Sequence, residues 1–487
     1  MKKVLFSHSY FLRFDPKQWK IQQAYPPLAT LYAASLLKQL GYQVELFDTM
    51  FSLSPDEIIP ILEKSKPEYF IVYDDGFNYL TKMCLTNMRE AAFRMIALAK
   101  EKGVKTIVSS SDSTDHPDLY LDAGADFILY GEGERTLEAL LDALIHGVEN
   151  FSDINGLIFR SEEKLIKTAK REVMKDLDQL PVPAWELINV EDYKKRWVNH
   201  HGYFSMNIST TRGCPFHCNW CAKPIYGNRY SVHSPDRIAK EMAYLQTNFG
   251  ASHFWITDDI FGLKPGWITE FAKLTKQHTF KYKIQSRVDL LLQENTIEAL
   301  AESGCETVWM GAESGSQKIL DAMDKGTTVS QIHEASTLLK KKGIKPAFFL
   351  QFGYPGETQD DIEKTLEMVM TLLPDDIGIS VSYPLPGTKF YEKVKNDLET
   401  KANWTDSDEL AMMFRNTYPA AYYKLLQRFV HRKYRTKQGM AELESVIKKP
   451  ALLSLNSLRR IVSVPVHYSG SLYYKKKMEK MLHEIPA

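Results

Sequence analysis

The stretch "STTRGCPFHCNWCAKP" (209–224) places Cys214, Cys218 and Cys221 within eight residues, out of five cysteines in a chain of 487. Thiolates are soft ligands that select iron–sulfur clusters or zinc. A structural zinc site is closed by four ligands. This loop offers three, and His217, directly beside Cys218, is awkwardly placed to be a fourth. Cys84 and Cys305 bring no second CxxC pair. A cubane cluster held by three cysteines leaves one iron open to a substrate, so the missing fourth ligand has a chemical reading. Cys84, in "TKMCLTNMRE", reads as a buried helix residue, and Cys305 as a buried residue just before a strand.

Around the loop the chain alternates between apolar runs and amphipathic stretches. Toward the carboxyl end the strand candidates are "FSMNIST" (204–210), "HFWITDD" (253–259), "KIQSRVD" (283–289), "TVWMGAES" (307–314), "KPAFFLQFG" (345–353) and "DIGISVSYP" (376–384). Helical stretches such as "PDRIAKEMAYLQTNFG" separate them. About six strand–helix units predict a barrel or partial barrel over 201–394, with its chemistry at the carboxyl ends of the strands. Asp258, Asp259, Arg287, Glu313 and Gly353 fall at those ends. Taken alone, an Asp-Asp pair there is often just a helix cap.

Toward the amino end, "KVLFSHS" (3–9), "QVELFD" (43–48), "YFIVYD" (69–74), "KTIVSSS" (105–111) and "DFILYG" (126–131) read as strands. "PPLATLYAASLLKQLG" (26–41) reads as a helix, with Pro27 in its first turn and Gly41 at its end. This alternation predicts a parallel sheet wound on both faces over 1–150, with a ligand crevice beyond the strand ends. "GEGERTLEALLDALIHG" (131–147) is a glycine turn before a helix. Its backbone N–H groups could meet an anionic or amide-rich ligand, or simply join strand to helix. Residues 151–200 read as a connector, with a small hairpin and the two prolines of "LDQLPVPAWELI". Residues 395–487 read as mainly helical. Segments such as "YPAAYYKLLQRFVHRKYR" mix aromatic and basic residues, as on a packing helix with a solvated basic face.

Lys plus Arg equals Asp plus Glu at 61 each, which argues against nucleic acid as a partner. So few cysteines do not make a disulfide framework. The first twenty residues turn polar too soon for a signal peptide, and no run of about 18 apolar residues predicts a membrane span. A reducing cytoplasm fits this composition.

With these motifs in place, the loop's CxxxCxxC spacing, with Trp220 before the last cysteine, resembles the signature of the radical S-adenosylmethionine (SAM) superfamily. The resemblance covers about residues 200–395. "ITDD" (256–259) resembles the segment that meets the amino group of SAM, "SRVD" (286–289) the next strand end, and "GAESGSQKIL" (311–320) the ribose-contacting strand. "FGYPGET" (352–358) and "SYPLPGT" (382–388) resemble the last strands. The resemblance implies a [4Fe-4S] cluster on Cys214, Cys218 and Cys221, with Trp220, Asp258, Arg287, Glu313 and Gly353 around SAM.

A doubly wound domain ahead of such a barrel resembles the cobalamin-binding class of the superfamily. "YPPLATLYAASLLKQLGYQVELFD" and "ADFILYGEGERTLEALL" match that class. The implied architecture is α/β: a Rossmann-like cobalamin-binding domain, a radical SAM partial (β/α)6 TIM barrel and a helical carboxyl-terminal region. Tyr25, Ser110, Gly131, Glu132 and Gly133 are the implied cobalamin contacts. The Asp-x-His-x-x-Gly motif of many cobalamin proteins is missing. "SHSYFLRF" offers His8 alone, which implies cobalt without a protein histidine and a hydrogen-bonded His8. Methylthiotransferases carry a second cysteine trio near the amino end and some maturases several late cysteines, and neither is present here. The implied activity is methyl transfer to an unactivated carbon of a small biosynthetic intermediate. A 5′-deoxyadenosyl radical and methylcobalamin would carry it, fed by a one-electron reductant such as flavodoxin or ferredoxin. The alternatives are cyclisation, ring contraction or oxidation on the same architecture, or metal or cobalamin binding without radical chemistry.

Overall fold

A computed structural model describes residues 2–77, 85–223, 225–401 and 403–483. Cys84 lies outside them.

The amino-terminal strands are β1 (Lys3–Ser7), β2 (Gln43–Phe47), β3 (Tyr69–Tyr73), β4 (Lys105–Ser109) and β5 (Phe127–Leu129). They pair in parallel in the order β2-β1-β3-β4-β5. Alternate side chains feed opposite faces, as the pleat requires. Val4, Phe6, Ile71 and Tyr73 enter one apolar core, while Leu5, Phe70 and Val72 enter another beneath the helix Thr86–Glu101. The expected hairpin forms as β6 (Leu157–Ser161) and β7 (Lys164–Lys167). It adds antiparallel to β5, so the first sheet runs past residue 150. The linker is not loose: Trp185 is buried, and the Ala184 N–H donates to the Leu31 carbonyl at 3.2 Å along the helix Leu28–Gln39.

The second sheet holds six parallel strands: β8 (Ser205–Ile208), β11 (His253–Ile256), β12 (Lys281–Ser286), β13 (Cys305–Glu313), β14 (Lys345–Phe352) and β15 (Asp376–Val381). This is the partial barrel expected. Cys305 opens β13 and is buried, as the sequence suggests. Between β8 and β11, an unforeseen antiparallel pair closes the root of the cysteine loop: β9 (Thr211–Arg212) and β10 (Ser231–Val232).

Among the described residues, the carboxyl-terminal region is irregular between 398 and 419 and then helical over Ala420–Lys448, Leu455–Val462 and Val464–His483. The helix Ala420–Lys448 buries Tyr422, Leu426 and Tyr434. The Tyr434 hydroxyl donates to the Pro374 carbonyl at 2.6 Å, and Arg435 pairs with Asp376 at the start of β15. The aromatic-basic segment is therefore a packing helix against the barrel. The larger core runs unbroken from the first sheet through the barrel to this helix.

Candidate active site

The two sheets are bolted together at the foot of the cysteine loop. Arg212, two residues before Cys214, is buried between Glu132 (2.5 Å) and Glu134 (2.7 Å) of the first domain. Burial raises the Glu132 carboxyl and Glu134 adds to this, while Arg212 opposes it. Glu132 also accepts the Met174 N–H. The glycine turn is crowded by protein. A Cβ at Gly133 would lie 2.8 Å from the Tyr73 hydroxyl, and one at Gly131 3.6 Å from the Ile225 carbonyl, where Gly131 already has φ +79°. The turn therefore docks the first domain on the barrel, and Glu132 is committed to Arg212.

Asp258 steadies the same root. Its carboxylate is fully buried and accepts from the Thr210 N–H (2.7 Å), the Thr211 N–H (2.9 Å) and both the Ser209 and Thr210 hydroxyls. Burial lifts it to about 7 even so. Its neighbour Asp259 is exposed and close enough to Cys214 and Cys221 to raise both thiols. Of the two carboxylates, Asp259 faces the cysteines and Asp258 holds the turn that presents them.

Cys218 and Cys221 line one cavity, and Cys214 lies close enough to act on Cys221. Burial pushes Cys221 up to about 12, and Cys214 and Cys218 act in the same direction. His217 meets Asn228 at 2.7 Å through Nδ1. Among the described residues, no three His, Cys, Asp or Glu converge as on a single metal ion, as a closed zinc site would need. A cubane instead takes its thiolates on separate irons. Trp220 Nε1 is buried without a partner beside Cys221, an orphaned donor that a bound ligand could satisfy.

The remaining SAM expectations converge from the strand ends. The Arg287 guanidinium lies 3.8 Å from the Phe216 ring centroid, and its Nη1 lies 3.8 Å from Cys218 Sγ. Glu313, at φ +55°, accepts from Lys325 Nζ at 2.8 Å in a buried pair. Burial pulls the Lys325 ammonium down, yet Glu313 and Cys218 leave it raised. Gly311 is needed here, because a Cβ would lie 2.5 Å from Lys325 Nζ. Gly353 (φ +78°) sits farther round the barrel, where its N–H donates to Glu357 at 2.7 Å and its carbonyl accepts from Asn416.

Two cavities of about 320 and 110 Å³ lie between the domains and share Asp115 and Pro386. The larger is walled by Thr114 and Asp115 beyond β4, by Cys218 and Cys221, and by Pro386–Lys389. Burial carries the Asp115 carboxyl to about 7, and Asp112 pushes the same way. Ser110 caps the short helix leading there, accepting the Ser113 N–H at 2.9 Å, and the buried Ser111 hydroxyl has no partner. At the end of β1, His8 engages Asp48 (2.9 Å) through Nε2 and Thr49 (3.1 Å) through Nδ1, the hydrogen-bonded role expected for it.

Tyr25 lies elsewhere. It is buried between Trp197 and Trp255, with its hydroxyl 3.2 Å from Ser205 Oγ at the start of β8, the opposite end of the barrel from the cysteine loop. There it meets a feature the sequence did not flag. The outward strand residues Phe254, Tyr282, Ile284, Val308 and Phe348 are fully buried under helices. The inward Trp255, Lys283, Gln285, Trp309 and Phe349 keep accessible surface. A small closed barrel fills its interior with side chains, and here those inward residues stay partly accessible. The Lys283 ammonium sits 4.7 Å from the Trp255 ring and 5.4 Å from Tyr25, and burial lowers it to about 8.

Residues 208–369 match the radical SAM superfamily profile. The chain is 28% identical over 388 residues to an uncharacterized methyltransferase of Pyrococcus horikoshii, spanning 78% of this chain and 81% of that one. Its fold is similar to that of the radical SAM methyltransferase TsrM from Kitasatospora setae, solved with cobalamin and a [4Fe-4S] cluster bound. That match has TM-score 0.65 and 18% identity over 81% of this chain and 75% of that one. It is also similar to the cobalamin-dependent SAM radical enzyme OxsB, with TM-score 0.74 and 16% identity over 98% of this chain and 72% of that one. Residues 208–369, which begin at the cysteine loop, thus carry a radical SAM domain, set in a two-domain frame shared with these proteins.

Proposed function

We propose that the protein is a cobalamin-dependent radical SAM methyltransferase acting on an unactivated carbon of a small biosynthetic intermediate. The observation that carries this reading is the interdomain cavity, where the strand ends of the first sheet meet the cysteine loop across Asp115, Cys218 and Cys221. When bound, the cluster with SAM supplies radical chemistry and cobalamin a transferable methyl group.

The chain's own residues position and enclose. Cys214, Cys218 and Cys221 would hold the cluster. Arg287 and Asp259 flank it, and the Trp220 indole lies alongside. The Glu313–Lys325 pair offers a carboxylate to the SAM ribose and an ammonium nearby. Gly353 shapes the same rim through its backbone. Thr114 and Asp115 border the cobalamin side, Ser110 caps the helix that carries them, and the Gly131–Gly133 turn docks the two domains behind it. Asp258 and Arg212 act one step back, holding the loop's root. Walling the cavity from both domains excludes water from reactive species. The protein also needs a one-electron reductant, for which flavodoxin or ferredoxin is the proposed class.

Replacing Glu313 with Gln is expected to weaken SAM binding by about 1.5–3 kcal/mol, the range for a charge-assisted hydrogen bond. It also strands the buried Lys325, so stability should fall as well. In Glu313→Gln/Lys325→Met the stability should partly return while SAM affinity does not. Calorimetric titration with SAM alongside thermal melts separates the two effects. Unchanged SAM affinity in both variants would make Glu313 purely structural.

The cobalamin assignment is tested by anaerobic reconstitution with hydroxocobalamin and the visible spectrum of the bound cofactor. Both His8 nitrogens are engaged, so wild type and His8→Ala should give the same spectrum, without imidazole ligation. A wild type that retains no cobalamin would refute methyl transfer by this route.

A further inference from the structure

The strongest surface feature lies away from the site, at the carboxyl-terminal hairpin. From 445 to 478 the chain has seven basic residues and no acidic one, in a protein whose total charge is balanced. The same segment exposes large apolar side chains. Ile447, Leu455, Val462 and Val466 are each between 64% and 77% exposed, and Leu453 and Tyr473 are more than half exposed. In the helix Leu455–Val462, Leu455, Leu458 and Val462 recur at i, i+3 and i+7 and so share one stripe, with Arg459 beside it and Arg460 turned back to Glu442 at 3.3 Å. The helix Val464–His483 carries Val466 and Tyr473 seven residues apart, followed by Lys475, Lys476 and Lys477. Its Lys477 ammonium lies over the Tyr473 ring at 4.8 Å.

Large apolar side chains exposed together along one segment mark an interaction surface. Its rim of basic residues narrows the occupant. A second copy joined face to face would bring two such basic patches together, because a two-fold interface repeats the same surface on both sides. Nucleic acid would meet the charge but leave the aliphatic tip in water. An anionic bilayer meets both: basic side chains at the headgroups and Leu, Val and Tyr at the acyl boundary. Among the described residues, no helix is long and apolar enough to cross a membrane, so the fit is to a surface.

We propose that the hairpin formed by residues 445–478 docks the enzyme peripherally on anionic lipid surfaces. The core side of the hairpin anchors it to the body. Ser471 and Met478 are buried, and a Cβ at Gly439 would lie 2.4 Å from Val464 Cγ2 and 2.8 Å from the Arg460 carbonyl, so the helix Ala420–Lys448 packs closely on the chain where the two later helices join. The exposed stripe is thus held out by a rigid support, and its substitution leaves the barrel untouched.

The test is co-sedimentation of the full, cluster-loaded protein with vesicles of equal parts phosphatidylglycerol and phosphatidylcholine, against phosphatidylcholine alone. Binding should require phosphatidylglycerol and weaken as salt is raised. It should fall at least about tenfold both in Leu455→Glu/Val462→Glu and in Lys475→Glu/Lys476→Glu/Lys477→Glu. Circular dichroism shows that the variants are folded. Light scattering completes the set, with a monomer that Leu455→Glu/Val462→Glu leaves unchanged supporting the bilayer. Absent vesicle binding, equal binding to both compositions, or an oligomer dispersed by that variant would each overturn the proposal.

Discussion

Replacing Cys214, Cys218 and Cys221 together with Ala is expected to remove about four irons per chain and all SAM cleavage, while the protein stays folded. The loop carries the ligands but little of the core, and its root is closed by β9–β10 and Asp258. The triple variant should therefore keep its far-ultraviolet circular dichroism. Each single Ser replacement should already abolish turnover, since a cubane with two protein thiolates is poorly held. Iron and sulfide analysis after anaerobic reconstitution checks this, and a triple variant that retains its iron would place the cluster elsewhere.

The second large effect concerns Arg212. Arg212→Met leaves Glu132 and Glu134 buried without their cation. Removing one partner of a buried pair costs about 3–5 kcal/mol. The Glu132 carboxyl, already raised by burial, would then lose the cation that opposes this and be raised further above its unfolded value. The deficit should therefore be greatest at neutral and higher pH and shrink as the pH falls and Glu132 takes up its proton. Denaturant titrations of wild type and variant across pH 5–8, roughly the range of ordinary maximal stability, check the sign. A deficit that does not change with pH would mean that lost packing dominates. The cysteine loop begins two residues later, so weaker cluster retention is expected too.

Much of this was legible in the sequence. Short apolar runs fixed both sheets, since parallel strands buried on both faces are continuous in hydrophobicity. The cysteine spacing fixed the loop. What escaped is long-range or concerns which way a side chain points. Asp258 and Asp259 are neighbours at a strand end, and only the fold shows that one turns to Thr210 and Thr211 and the other to the thiols. The glycine turn at 131–133 reads equally as a ligand cradle or as a join from strand to helix, and only the fold shows its acid paired across 80 residues with Arg212. Tyr25 sits just ahead of the helix Leu28–Gln39, and its partner Ser205 is 180 residues away. Asp115 and Lys283 stand out only once the cavity beside one and the Tyr25 and Trp255 rings beside the other are in place. A single Asp or Lys in an amphipathic stretch carries no local signal.

The most direct test of the whole account is to reduce the cluster- and cobalamin-loaded enzyme anaerobically in the presence of SAM and quantify adenosyl products by mass spectrometry. The account predicts 5′-deoxyadenosine formed in wild type and absent in Cys218→Ser. Intact SAM after reduction of a fully iron-loaded wild type would contradict it.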